Sequence, residues 1–277
     1  MVPATLRSTG MTGIGYRQVV RKRSGHMESE SPAADLVTAA VVVIGDEILS
    51  GRTKDKNIGY IADHLTRVGI QLKEVRIVPD EQPAIVEAIN ALRTRFDYVF
   101  TTGGIGPTHD DITSDSIATA FGVSIDVDPR ALALLKPYYE RRNMELTPAR
   151  LRMARVPEGA TLIENSLSIA PGFMLGNVMV LAGVPSVMQV MLDAATRHLK
   201  TGKKMHSVAI DVHRPEGDIA ELLATHQNAY PDVPMGSYPF FRDGRLGTQL
   251  VLRSTEAERL NAAADELREK LATRGLI

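Results

Sequence analysis

The segment Thr101-Thr102-Gly103-Gly104-Ile105-Gly106-Pro107-Thr108-His109-Asp110-Asp111-Ile112-Thr113 gathers glycines, threonines and paired aspartates between an apolar run and a helical pattern. Its glycines allow a sharp turn and let a ligand approach the backbone with no Cβ in the way. Amides of such a turn, with the unpaired amides opening the next helix, form a concavity suited to an anion, phosphate above all. The ligand contacts expected from this loop are Thr102, Gly103, Gly104, Gly106, Pro107, Thr108, Asp110 and Thr113. The loop is not a Walker A motif, which needs Gly-Lys-Ser/Thr, and its GGxG spacing is not the GxGxxG dinucleotide fingerprint.

Carboxylates recur at matching places. Asp46-Glu47 follows Gly45, Asp80-Glu81 follows Pro79, and Asp110-Asp111 closes the glycine loop, each pair just after an apolar run. In an open parallel sheet, ligands occupy the crevice outside the carboxyl ends of the strands. Crowded carboxylates raise one another's proton affinity unless a cation intervenes, and a divalent ion with oxygen ligands, Mg²⁺ by default beside phosphate, relieves them. A plainer role exists for each pair. Asp110-Asp111 could cap the following helix, and Asp80 the helix beginning near Pro83. His109 could donate to a phosphate oxygen or be an ordinary exposed loop residue.

The elements that would hold these residues read as α/β. Strands are expected at Ala39–Ile44, Leu72–Val78, Tyr98–Thr102 and Val178–Leu181, and helices at Asn57–Val68, Pro83–Leu92, Thr113–Phe121, Ala131–Arg142 and Val187–Leu199. Alternating strands and helices with short connections indicate a mostly parallel sheet with right-handed crossovers. Gly45 to Gly51 reads as a loop bracketed by glycines. After Gly202 the order becomes strand, helix, strand, strand, helix, with Asp243-Gly244 as a hairpin signal. Three regions follow: an extension over 1–36, an α/β domain over 37–201 and a small α+β domain over 202–277. Tyr238, Phe240 and Phe241 are expected to build the small domain's core.

Composition narrows the classes. The 277 residues carry 32 basic and 33 acidic side chains, a balance with no long-range pull toward nucleic acid or anionic membrane. Cysteine is absent, which removes disulfides, thiolate metal sites and a cysteine nucleophile. No apolar run reaches the length of a membrane span, and the expected location is cytoplasmic. The extension is rich in arginine (Arg7, Arg17, Arg21, Arg23) with no acid before Glu28, as in transit peptides, though Met27 could equally be the natural start.

Taken together, Gly45-Asp46-Glu47-Ile48-Leu49-Ser50-Gly51, Thr101 to Thr108 and Asp110-Asp111-Ile112-Thr113 resemble the molybdopterin-binding MoaB/Mog family. Within it the likeness is greatest to the amino-terminal domain of competence/damage-inducible protein A and to the corresponding domain of FAD synthase. It covers roughly Val37 to Leu199, and the Gly236-Ser237-Tyr238-Pro239 segment extends it toward those two branches. The resemblance implies a three-layer α/β/α fold, a homo-oligomer (trimer or dimer), and Asp46, Asp80 and Asp111 as catalytic and metal-ligating residues. It also implies a small phosphorylated ligand such as molybdopterin, with Mg²⁺, Co²⁺ or Mn²⁺ as cofactor. Three functions follow from it: binding of a pterin or nucleotide phosphate in molybdenum cofactor handling, hydrolysis of ADP-ribose- or FAD-like pyrophosphates, or a non-catalytic oligomeric module. Leu181-Ala182-Gly183-Val184-Pro185-Ser186-Val187-Met188 departs from the family's usual Leu-Pro-Gly-x-Pro-x-Glu-Met, with valine at 187 where an acid is usual.

Overall fold

A computed structural model describes residues Leu36–Ile277 except Asp243. The extension expected over 1–36 therefore lies outside the described residues but for Leu36, as does the aspartate of the expected hairpin turn.

The first strand, β1 (Val37–Ile44), is a β-branched and alanine run with both faces buried. It pairs in parallel with β2 (Ile70–Val78) and β3 (Tyr98–Thr102), and β3 pairs in parallel with β8 (Val178–Leu181). The sheet is completed by β7 (Gly172–Leu175) and β6 (Thr161–Ile163), which run antiparallel, in the order β2-β1-β3-β8-β7-β6. A separate two-stranded ribbon joins β4 (Ile125–Val127) to β5 (Arg155–Pro157).

Alternation along β1 assigns its neighbours. Ala40, Val42 and Ile44 pack with α3 (Gln82–Arg93), α4 (Thr113–Phe121) and α5 (Pro129–Arg141). Ala39, Val41 and Val43 pack with α2 (Asn57–Arg67) and α7 (Pro185–Thr196). The result is the expected three-layer α/β/α arrangement around a mostly parallel sheet. The glycine-bracketed segment is not all loop, because Asp46–Leu49 makes one helical turn, α1. A second short helix, α6, spans Pro148–Leu151.

The remaining sheet holds β10 (Met235–Arg242), β11 (Arg245–Ser254) and β9 (His206–Val212) in that order, all antiparallel. Its buried face packs on α8 (Ala220–Ala229) and α9 (Ala257–Thr273) through Ile210, Leu250, Leu252, Leu222 and Leu267. Tyr238 and Phe241 do not join that core, being 50% and 70% exposed. The strand β10 lies at the sheet edge, and the centre of the core is already filled by β9, β11 and the two helices. No helix among the described residues is long and apolar enough to cross a membrane.

Candidate functional site

Parallel β1, β2 and β3 end on the same side of the sheet, so the chains leaving them meet. Gly45 donates its amide to the Val78 carbonyl at 3.2 Å, which binds the exit of β1 to that of β2. Gly103 donates to the Leu181 carbonyl at 3.2 Å, which binds the exit of β3 to that of β8. Between these exits opens a cavity of about 390 Å³. Its polar wall carries Glu47, Asp80, Asp110, Asp111 and the Gly103–Gly104 turn, while Ile105, Met153, Val184, Val187 and Met191 supply an apolar wall.

The glycine turn is locked from beneath. Thr113 is fully buried, its amide donating to the Gly104 carbonyl and its hydroxyl to the Gly103 carbonyl, both at 2.9 Å. The backbone of Gly103 has φ +104° and that of Gly104 φ +66°, both in the left-handed region that disfavours side chains. A Cβ at Gly103 would lie 2.2 Å from the Ile44 carbonyl oxygen, and one at Gly104 2.2 Å from the Thr113 hydroxyl. With these carbonyls spent inward and the Gly103 amide given to Leu181, the half-buried backbone of Gly104, Ile105 and Gly106 is the part of the turn that can offer amides to a ligand.

Each acid is held differently. Asp80 caps neither α3 nor any element of its own, since its Oδ2 accepts the Asp46 amide at 2.9 Å across the two strand ends. Desolvation pushes its pKa up, the Asp46 amide partly opposes this, and the charges of Asp46, Glu47 and Asp110 push it up further. Asp111 does not cap α4 with its side chain. Its Oδ2 accepts the Thr108 amide at 2.8 Å and the Thr108 hydroxyl, while its carbonyl accepts from Arg152 Nη2 at 3.0 Å. That arrangement turns the carboxylate back over Gly106, where an added Cβ would sit 2.7 Å from Asp111 Oδ2.

Of the residues expected to act, the structure brings Gly103, Gly104, Gly106, Asp80, Asp110 and Asp111 to this cavity. Asp46 does not line it but contributes its amide and charge to Asp80. Pro107 and Thr108 are exposed on the outer limb of the loop, Thr113 lies beneath the turn, and Thr102 faces the α2 side. His109 projects into solvent with its side chain 99% exposed. Among the described residues, no group of three or more His, Asp or Glu side chains is arranged as a metal cage. The free carboxylate oxygens of Asp80, Asp111, Asp110 and Glu47 suit instead the kind of site in which one or two carboxylates share Mg²⁺ with substrate phosphate.

Sequence reasoning did not assign one part of the wall to the site. Asn165 is buried, accepts the Leu167 and Ser168 amides at 3.1 Å each and donates to the Ala170 carbonyl at 2.9 Å. These bonds hold Ile169 at φ +68°, a conformation β-branched residues rarely adopt, with Ser168 and Ala170 lining the cavity on either side. The segment Asn165 to Phe173 belongs to the family resemblance, with Ser168 where glycine is frequent, but it carries no recognisable period, so only the tertiary structure places it at the cavity.

A parallel α/β sheet with a glycine-walled, acid-lined cavity at its strand ends is the architecture of a small-ligand binding domain. Residues 40–201 match the family described as a probable molybdopterin binding domain, and residues 204–277 that described as the FAD synthase middle domain. The chain belongs to the molybdopterin-binding-domain family. A protein of Aeropyrum pernix is 32% identical over 247 residues, covering 84% of this chain and 91% of that one. A CinA-like protein of Citrifermentans bemidjiense is 35% identical over 252 residues, but this chain spans only 58% of its length. The crystal structure of the protein CinA from Thermoplasma acidophilum matches with a TM-score of 0.55 at 34% identity, covering 60% of this chain and 99% of that one.

Proposed function

We propose that the cavity binds a phosphate-bearing pterin or nucleotide, of the molybdopterin type, with a divalent cation shared between the ligand's phosphate and the carboxylates of Asp80 and Asp111. The observation that carries this reading is the apposition, in one cavity, of the Gly103–Gly104 turn with acids from three strand ends and an apolar wall. The turn's amides would take phosphate oxygens, and Ile105, Met153 and Val187 would cover the flat face of a heterocycle. Valine at 187 makes that wall apolar where the family resemblance implies an acid, which favours ring packing over an additional ligand to the cation. A bound divalent cation would neutralise phosphate charge and polarise the phosphorus–oxygen bonds.

A second reading, hydrolysis of a pyrophosphate, is favoured by the raised proton affinity of Asp80. In it, water adds to one phosphorus and the bond to the bridging oxygen breaks, giving two phosphomonoesters. Asp80 would accept the proton that the water gives up. The match of residues 204–277 to the FAD synthase middle domain supports this branch of the family.

Incubation with ADP-ribose, FAD and NADH, each with Mg²⁺, Mn²⁺ or Co²⁺, separates the two by following AMP. Release that Asp111→Asn abolishes is the result expected of a pyrophosphatase. Tight molybdopterin binding without turnover leaves the binding reading alone. A stable oligomer that binds neither ligand rejects both readings in favour of an assembly module.

A further inference from the structure

We propose that Arg152 is the positioning residue of the cation site: from behind the acid loop it fixes the direction in which Asp111 presents its carboxylate to the crevice. This rests on the reading above, in which Asp111 shares a divalent cation with the ligand's phosphate.

The limb 105–111 carries two of the site's acids, yet little fastens it. Within it, Asp111 Oδ2 accepts the Thr108 amide at 2.8 Å, and the Asp111 amide donates to the Thr108 carbonyl at 3.3 Å. These bonds shape the limb without tying it to the rest of the fold. Among the described residues, one hydrogen bond reaches it from outside, from Nη2 of Arg152 to the Asp111 carbonyl at 3.0 Å, across 41 positions of sequence. With the Asp111 amide held on one side and its carbonyl on the other, both peptide planes flanking its Cα are fixed, and the direction of its Cβ with them.

Arg152 itself stands on firm structure. It opens one turn of 3-10 helix, Arg152–Ala154. Ala154 is fully buried, and its carbonyl accepts the Asp128 amide at 2.8 Å. Arg155 then enters the β4–β5 ribbon opposite Val127. Met153, between them, lines the crevice. The same short turn therefore braces the acid loop and contributes to the apolar wall.

Arg152 is not bound as a structural arginine is. Its neighbour Arg155 grips Asp115 through both terminal nitrogens, at 2.7 and 2.8 Å. Arg152 makes no ion pair among the described residues, and its buried Nε has no partner. A buried guanidinium N–H left unpaired is unfavourable, so packing alone would be better served by methionine. What arginine adds at this place is the reach to the Asp111 carbonyl.

Isothermal titration calorimetry of the full chain with pyrophosphate, with and without Mg²⁺, tests this beside urea denaturation. Arg152→Met should weaken Mg²⁺-pyrophosphate binding about tenfold or more, as losing a partner that orients a metal ligand does. Metal-free pyrophosphate binding and the urea midpoint should change little. Arg152→Gln, too short to reach the Asp111 carbonyl, should behave alike and serves if the methionine variant does not fold. Arg152→Lys, which keeps a charge and a donor, should bind Mg²⁺-pyrophosphate more tightly than Arg152→Met. Arg155→Met, which breaks the neighbouring ion pair, should lower the urea midpoint and leave the Mg²⁺-pyrophosphate affinity unchanged. An unchanged affinity in Arg152→Met, an equal loss with and without Mg²⁺, or the same loss in Arg155→Met overturns the positioning role. The crevice reading survives each of these if Asp111→Asn still weakens Mg²⁺-pyrophosphate binding. Failure of the wild-type chain to bind Mg²⁺-pyrophosphate overturns the crevice reading and the role of Arg152 with it.

Discussion

The two larger sheets of this chain bury similar side chains but place their chain ends differently. In the six-stranded sheet, β1 is covered on both faces, and the parallel strands β1, β2, β3 and β8 all end on one side. Their exits meet, and the glycine turn and acids meet with them. In the three-stranded sheet, only one face is packed by α8 and α9, and antiparallel pairing sends successive connections to opposite ends. The difference teaches that this site is a product of strand direction as much as of residue type. Arg242, Asp211 and His213 are as capable of chemistry as the acids of the crevice, yet the cavity of about 460 Å³ that they line in the small sheet has a single acid and no glycine among its described lining residues.

The contrast can be broken at several points. Phe100→Ala empties the centre of the doubly covered sheet, where Phe100 is fully buried. It should cost about 3 to 5 kcal/mol by chemical denaturation. A loss below about 1 kcal/mol would mean that the two-faced core does not dominate stability. Thr113→Val removes the hydroxyl that satisfies the Gly103 carbonyl. A loss of about 1 to 3 kcal/mol is expected, together with weaker Mg²⁺-pyrophosphate binding as the turn loosens.

A smaller effect concerns pH. Because the pKa of Asp80 is raised in the fold, its protonated form is the favoured one there. Its contribution is therefore fully present below the unfolded carboxylate pKa of about 3.9 and is lost as pH rises through the folded value. Asp80→Asn, neutral throughout and still able to accept the Asp46 amide, should gain stability relative to wild type between pH 4 and pH 7. Urea titrations at the two pH values measure this, and a gain in the opposite direction would place Asp80 among the stabilising carboxylates. The least effect is expected at the hairpin end of the small sheet, where Phe241 and its partner Leu246 lie beyond the packed core. Phe241→Ser, at a side chain 70% exposed, should change stability by no more than about 0.5 kcal/mol. A larger loss would show that this end is covered in solution.

Much of this was legible in the residues because the signals were local. The strands Tyr98–Thr102 and Val178–Leu181 and the helix Thr113–Phe121 fall where apolar runs, periodicity and glycine stops place them. The short strands β4 to β7 and the single-turn helix Asp46–Leu49 escaped because three or four residues cannot display a period. The aromatic side chains of β10 were misplaced for a related reason, since alternation says which residues share a face but not which face is covered.

By itself, then, the sequence determined the layer order, the glycine turn and the recurrence of acids after strands, all of which follow from backbone sterics and short-range pattern. The tertiary structure decided how those acids are used. It gave Asp80 to the Asp46 amide, turned Asp111 back toward Thr108 and buried Thr113 beneath the turn. Such placements depend on which strand ends lie side by side, and sheet order is fixed by long-range packing that no local run of residues encodes.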